Sequence, residues 1–168
     1  PRDHFDVPLE RVVGAVQDEI GLAALEKVLA DPAVCAFLVE PIQGEAGGVV
    51  PTEGYLKGVR ELCTTHHVLF VADEVQTGLG RTGAWFAHQH EQVLPDVLTT
   101  AKALANGLPV GACIARGVAA EAFVPGQHGS TFGGNPLACA VATAALEVVK
   151  EEKLAERAEH LGQIFRDE

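Results

Sequence analysis

Residues 68–83 read VLFVADEVQTGLGRTG, and the fold turns on them. Val68 to Ala72 is a short, continuous apolar run containing β-branched and aromatic residues. Such a run fits a strand buried on both faces, as in parallel sheets covered by helices. It ends in two acids, Asp73 and Glu74, and then in a loop punctuated by Gly78, Gly80 and Gly83. A carboxylate at the carboxyl end of a buried strand stands where open α/β sheets gather their ligands. By position alone the two acids serve equally well as strand-ending or helix-capping residues, and both readings stay open.

The same pattern repeats on either side. Val34 to Val39 (VCAFLV) is a second buried strand, Val97 to Thr100 a short third and Val110 to Ala115 a fourth. Between them lie helical spacings. Leu22, Leu25, Val28 and Leu29 share a face that Asp31-Pro32 stops, and Leu56, Val59 and Leu62 share another that runs to about His66. Pro136 to Lys150 is a helix with proline in its first turn, lined by Leu137, Ala140, Val141, Ala144, Ala145 and Val148. A second amphipathic helix follows with Leu154, Ala158, Leu161 and Phe165 turned inward. Val12, Val13, Val16 and Ile20 fit either a helix face or a short strand. Strands alternating with helices predict an α/β fold: a mainly parallel sheet flanked by helices.

Composition narrows the function. The 168 residues carry 12 Lys+Arg against 23 Asp+Glu, a formal charge of −11, which disfavours a nucleic-acid partner. No apolar run is long enough for a transmembrane helix, so no membrane partner is expected. The chain has no Met and opens Pro1-Arg2-Asp3-His4, so it is expected to be part of a longer product. Cys35, Cys63, Cys113 and Cys139 form no C-x-x-C pair; they predict buried thiols in a reducing compartment and no metal site.

Lys102 stands out among five lysines: no other charge lies between Asp96 and Arg116. Desolvation would lower its pKa and favour the neutral, nucleophilic amine that a Schiff base needs. A lysine snorkelling from a loop is the plainer alternative. Residues 128–136, HGSTFGGNP, place Ser130 and Thr131 among glycines ahead of a helix, where a phosphate could be held; a simple turn and cap fits too. Neither G-K-[ST] nor G-x-G-x-x-G is present. Glu40 and Glu45 frame P-I-Q-G after a buried strand, His66 and His67 end a helix, and His88 and His90 are too close in sequence to share a helical face. Ser130 has no triad pattern around it.

Taken in order, residues 39–52 (VEPIQGEAGGVVPT), 68–84 (VLFVADEVQTGLGRTGA), 95–113 (PDVLTTAKALANGLPVGAC) and 128–141 (HGSTFGGNPLACAV) resemble the class III, pyridoxal-phosphate-dependent aminotransferases of the fold-type I superfamily. The resemblance runs over nearly all of the chain from about residue 21. It is closest to the members that act on ornithine, with those acting on N-acetylornithine as near relatives. It implies pyridoxal 5'-phosphate as cofactor, with Lys102 carrying the cofactor aldehyde and moving the substrate's proton. Asp73 would face the pyridine nitrogen and Gln76 the phenolic oxygen. Thr131, with Ser130 beside it, would meet the phosphate across a homodimer interface. Glu45 would act on the substrate side by pairing with an arginine.

The resemblance also implies that residues 1–135 belong to the large cofactor domain, and that 136–168 are a connecting helix and the start of a small C-terminal domain. The family's main phosphate turn and its ring-stacking aromatic have no counterpart here, so the chain alone is expected to be inactive. Ala105-Asn106 and Gly48 depart from the family's usual residues without touching the proposed contacts. The expected partners are a small amino donor, a 2-oxo acid and a second copy of the protein. The expected compartment is the cytoplasm, or the mitochondrial matrix in a eukaryote. A folded interaction module without catalysis is the competing reading.

Overall fold

In the computed structural model of the chain, residues 11–14, 21–45 and 47–167 are described. Five strands form one sheet: β1 Arg11–Gly14, β2 Val34–Val39, β3 Leu69–Asp73, β4 Val97–Thr100 and β5 Ala112–Ala115. They lie side by side in chain order. β1 to β4 are parallel, and β5 returns antiparallel to β4. Val12 and Val13 thus fall in a strand, while Val16 and Ile20 lie outside the described residues.

The connections explain the layering. Helix α1, Leu22–Leu29, joins β1 to β2, and helix α2, Tyr55–Thr65, joins β2 to β3. Crossovers between parallel strands are right-handed, so strands added in one direction place successive helices on the same face. Leu25 and Leu29 of α1, and Leu56, Val59 and Cys63 of α2, accordingly pack with Phe37, Val39, Phe70 and Ala72 in one core. Burial alternates along β3 and β4, so this face is covered and the other is only half-buried. The continuous apolar runs predicted cover on both faces; among the described residues one face has it. Cys63 is fully buried, and burial pushes its thiol up to about 12 despite Arg60 nearby, so it stays unreactive. Cys35 is half-buried, whereas Cys113 and Cys139 are exposed, which corrects the expectation of buried thiols for those two.

Three further helices follow: α3 Val118–Glu121, α4 Pro136–Glu151 and α5 Leu154–Asp167. Asn135 caps α4 by accepting from the Ala138 N–H at 3.0 Å, and Pro136 opens it. The inward face of α4 is not the one expected. Ala138 and Ala142 are buried, while Leu137 and Val148 are 67% and 45% exposed. In α5, Ala155 is buried but Leu161 and Phe165 are 51% and 85% exposed. The apolar spacing marks both helices, as observed, but not which of their faces is covered. No helix among the described residues is long and apolar enough to cross a membrane.

The end of the sheet opposite the carboxyl termini of β2–β4 is tied by one carboxylate. Asp96 Oδ2 accepts from Arg60 Nη1 at 2.7 Å and from the Phe70 N–H at 2.9 Å. Arg116, just after β5, donates its Nε to the Pro95 carbonyl at 3.0 Å and its backbone N–H to the Asp96 carbonyl, also at 3.0 Å. Asp96→Ala would strand both the guanidinium and the Phe70 N–H in a half-buried place. It should cost about 2–4 kcal/mol, read as a lower denaturant midpoint at unchanged m-value, with Asp96→Asn costing less.

Candidate active site

The carboxyl ends of β2, β3 and β4 carry the predicted residues. Asp73 is the last residue of β3 and pairs in register with Thr99 of β4. Its Oδ1 accepts from the Val75 N–H at 3.0 Å and from Thr99 Oγ1 at 3.3 Å. Its Oδ2 has no partner among the described residues. One oxygen is fixed and the other is free, so the carboxylate is aimed and still available.

Lys102 follows β4 after Ala101. Its backbone is left-handed, with φ 45°, which a residue bearing a Cβ rarely adopts. Such strain costs on the order of 1–3 kcal/mol and collects at functional sites. The amine lies 3.8 Å from Glu45 Oε1. The Lys102 side chain is 43% exposed, so the deep desolvation expected from its uncharged sequence neighbours is not found. Spatial neighbours differ from sequence neighbours: Glu45 arrives from the loop after β2. That carboxylate is 88% exposed and faces Lys102; no arginine partner for it occurs among the described residues.

Gln76 lies over the same loop. A Cβ on Gly44 would overlap the Gln76 amide, so a larger residue there would displace that side chain from its present place. The Gly44 N–H is itself held by Glu40 Oε2 at 3.2 Å. Buried polar atoms without a partner occur at this edge too: Gln43 Oε1 and Thr100 Oγ1. Unsatisfied buried groups are uncommon and gather where function demands them.

Glu74 does not belong to the cleft. It is fully buried just beyond the end of β3, among donors of its own that do not touch Asp73. Its Oε2 accepts from Thr77 Oγ1 and from the Ala87 N–H, the latter at 2.9 Å. Its Oε1 accepts from the His88 N–H and His88 Nδ1, each at 2.9 Å. Burial raises its pKa, but these donors more than reverse that, and the net shift is downward. His88 is thus spoken for, and His90 Nε2 meets Thr82. Thr77 and Thr99 were missed in the sequence.

Ser130 and Thr131 lie on an exposed segment before α4. Ser130 Oγ accepts from the Gly133 N–H at 2.9 Å, and Thr131 makes no side-chain hydrogen bond among the described residues. No hydrogen bond or ion pair links either residue to Asp73, Gln76 or Lys102. The structure therefore gathers Asp73, Gln76, Lys102 and Glu45, and does not gather the two hydroxyls with them.

Known proteins resemble this chain in sequence and in fold. Residues 5–168 match the family model described as aminotransferase class-III. The chain belongs to the class-III aminotransferase family. It is 60% identical over 148 residues to rat mitochondrial ornithine aminotransferase, covering 88% of this chain and 34% of that protein. It is 57% identical over 141 residues to acetylornithine aminotransferase from Methanopyrus kandleri, covering 84% of this chain and 36% of that one. A solved structure of ornithine aminotransferase from Toxoplasma gondii, with partial occupancy of PLP (pyridoxal phosphate) at its active site, matches with a TM-score of 0.86 at 55% identity. That match covers 89% of this chain and 35% of the other. The chain thus spans about a third of the length of these relatives. The predicted fold class, a mainly parallel α/β sheet of fold type I, holds for this family member.

Glu74 gives the fold an acid limit. A carboxylate whose folded pKa lies below its ordinary value stabilises the fold above that value, and the contribution disappears as pH falls through the folded pKa. On acidification below about pH 4.5, thermal stability should therefore drop in step with protonation of Glu74. A Glu74→Gln variant, already weaker at neutral pH, should lack that component of the pH dependence.

Proposed function

We propose that this chain provides the lysine side of the active site of a pyridoxal-phosphate-dependent ornithine aminotransferase. The reaction moves the δ-amino group of ornithine to 2-oxoglutarate. The observation that carries this reading is the Asp73 carboxylate, with one oxygen held by Val75 and Thr99 and the other free. The donor set fits the ring of the cofactor: a free carboxylate oxygen for a protonated ring nitrogen, an amide for a phenolic oxygen and an amine for an aldehyde. When bound, the cofactor supplies an electron sink for the carbanion left at the amine-bearing carbon.

The chain's own residues do the rest. Asp73 keeps a proton on the ring nitrogen, because a fixed negative charge favours the protonated form. Gln76 orients the ring edge from above Gly44. Lys102 takes up and returns the substrate proton, which its position at the strand end allows. Glu45 meets the Lys102 amine from the substrate side. Ser130 and Thr131, on their exposed segment, meet the phosphate of a second subunit in a homodimer. Residues 136–168 then lead out of the large domain into a smaller one. The compartment is the mitochondrial matrix in a eukaryote and the cytoplasm otherwise.

Acetylornithine aminotransferase is the second reading, favoured by relatives of that name at 57% identity. The two are separated by the ratio of kcat/KM for ornithine and N-acetylornithine in the full-length protein, expected to favour ornithine. Borohydride reduction of the loaded full-length protein should fix a pyridoxyl group on Lys102 and on no other lysine. Asp73→Asn should fold normally and lose turnover by orders of magnitude. Label on Lys57, or near-normal turnover in Asp73→Asn, would sink the assignment.

A further inference from the structure

We propose that Glu74 is a positioning residue for this site: its buried carboxylate sets Asp73 and Gln76 by clamping both ends of the loop that follows β3. The inference rests on the reading of Asp73 and Gln76 as cofactor contacts.

The donors to Glu74 come from two places. Thr77 is one residue beyond Gln76, and Ala87 and His88 open the 3₁₀ turn Ala87–Glu91. The Gly78 N–H also bonds the Glu74 carbonyl at 2.9 Å. Gln76 therefore stands between Val75, whose N–H holds Asp73 Oδ1, and Thr77, whose hydroxyl holds Glu74 Oε2. Between Asp73 and Thr77 the turn is thus held twice, by the Val75 N–H on Asp73 and by the Thr77 hydroxyl on the buried Glu74.

The clamp requires a carboxylate. Each Glu74 oxygen accepts a backbone N–H, from Ala87 at one end and His88 at the other. Backbone donors cannot reverse. An amide has one accepting end only, so in Glu74→Gln an NH₂ group must face one of those two N–H groups, whichever way it turns. Thr77 and His88 can reorient a hydroxyl or exchange a tautomer; the backbone cannot follow. An apolar residue would avoid the heavy cost of burying a charge. Four donors converge on this carboxylate instead, and no hydrogen bond or ion pair joins it to Lys102 or Glu45 among the described residues. Its part is to hold geometry.

The test uses the full-length protein in four forms: unsubstituted, Glu74→Gln, Thr77→Val and Asp73→Asn. The dissociation constant of pyridoxal phosphate is measured by titrating apoprotein, alongside steady-state kinetics and amide exchange. In Glu74→Gln the constant should rise about ten-fold or more, as expected for a lost backbone hydrogen bond at a supporting contact. Exchange at Ala87 or His88 should quicken, and kcat should fall while KM for the amino donor stays within about two-fold. Thr77→Val removes one donor at nearly constant shape and should raise the constant by about three-fold. If Glu74→Gln does not fold, Thr77→Val decides alone. A folded Glu74→Gln protein that binds cofactor as the unsubstituted protein does, while Asp73→Asn binds it weakly, overturns the positioning role and leaves the site standing. Unchanged binding in Asp73→Asn as well would bring down the reading of the site and the proposal with it.

Discussion

Two adjacent carboxylates, one ending β3 and the other just beyond it, are held by different sets of donors. Asp73 lies on the half-buried side of the sheet, and Glu74 is fully buried beneath the loop that follows. The first is held by a neighbouring strand and by its own turn. The second gathers donors from the far end of a loop about a dozen residues away. Loop entropy opposes fixing so long a connection. A charged acceptor buried among N–H groups offsets it, because charge-assisted bonds are the strong ones and leaving them unmade is costly. Lys102 depends on the same frame, since Thr99, three residues before it, is the residue that holds Asp73.

Much of this was legible in the sequence because it is local. VCAFLV and VLFVA are strands for reasons contained within them, and Asn135-Pro136 starts a helix by cap and proline chemistry. The order of acid, lysine and hydroxyl loop was enough to suggest a family. What could not be read was contact across the chain. Lys102 looked isolated because its sequence neighbours are uncharged; Glu45 comes to it from 57 residues away. Glu74 looked like a second candidate for the cleft because composition does not report direction. His88 looked like half of an improbable metal pair because the carboxylate it serves lies 14 residues upstream.

The helix faces teach a complementary lesson. Spacing correctly found α4 and α5 but misjudged which stripe is covered. In α4 the small residues Ala138 and Ala142 are buried, and Ala142 packs with Leu104 and Ala105 of the turn bearing Lys102. In α5, Ala155 plays that part beside Gly80, where a Cβ would sit in ordinary contact with Ala155 and where the φ of +90° favours glycine. Close approach selects small residues, so the largest apolar side chains are left for other surfaces.

Those surfaces bear on the proposed dimer. Leu137 and Phe132 are 67% and 82% exposed, and they flank the segment carrying Ser130 and Thr131. Phe123 and Val124, at 66% and 52%, lie at the start of the same exposed stretch. Large apolar side chains grouped on one segment mark an interaction surface more often than a free one. Thr131 cannot serve a phosphate from a position without hydrogen-bond partners unless something else brings one to it. Its exposure and its apolar neighbours are therefore two aspects of one requirement. On the proposed reading the segment would gain both its partner surface and its ligand when a second subunit covers it, and a site divided in this way would couple cofactor binding to assembly by mass action.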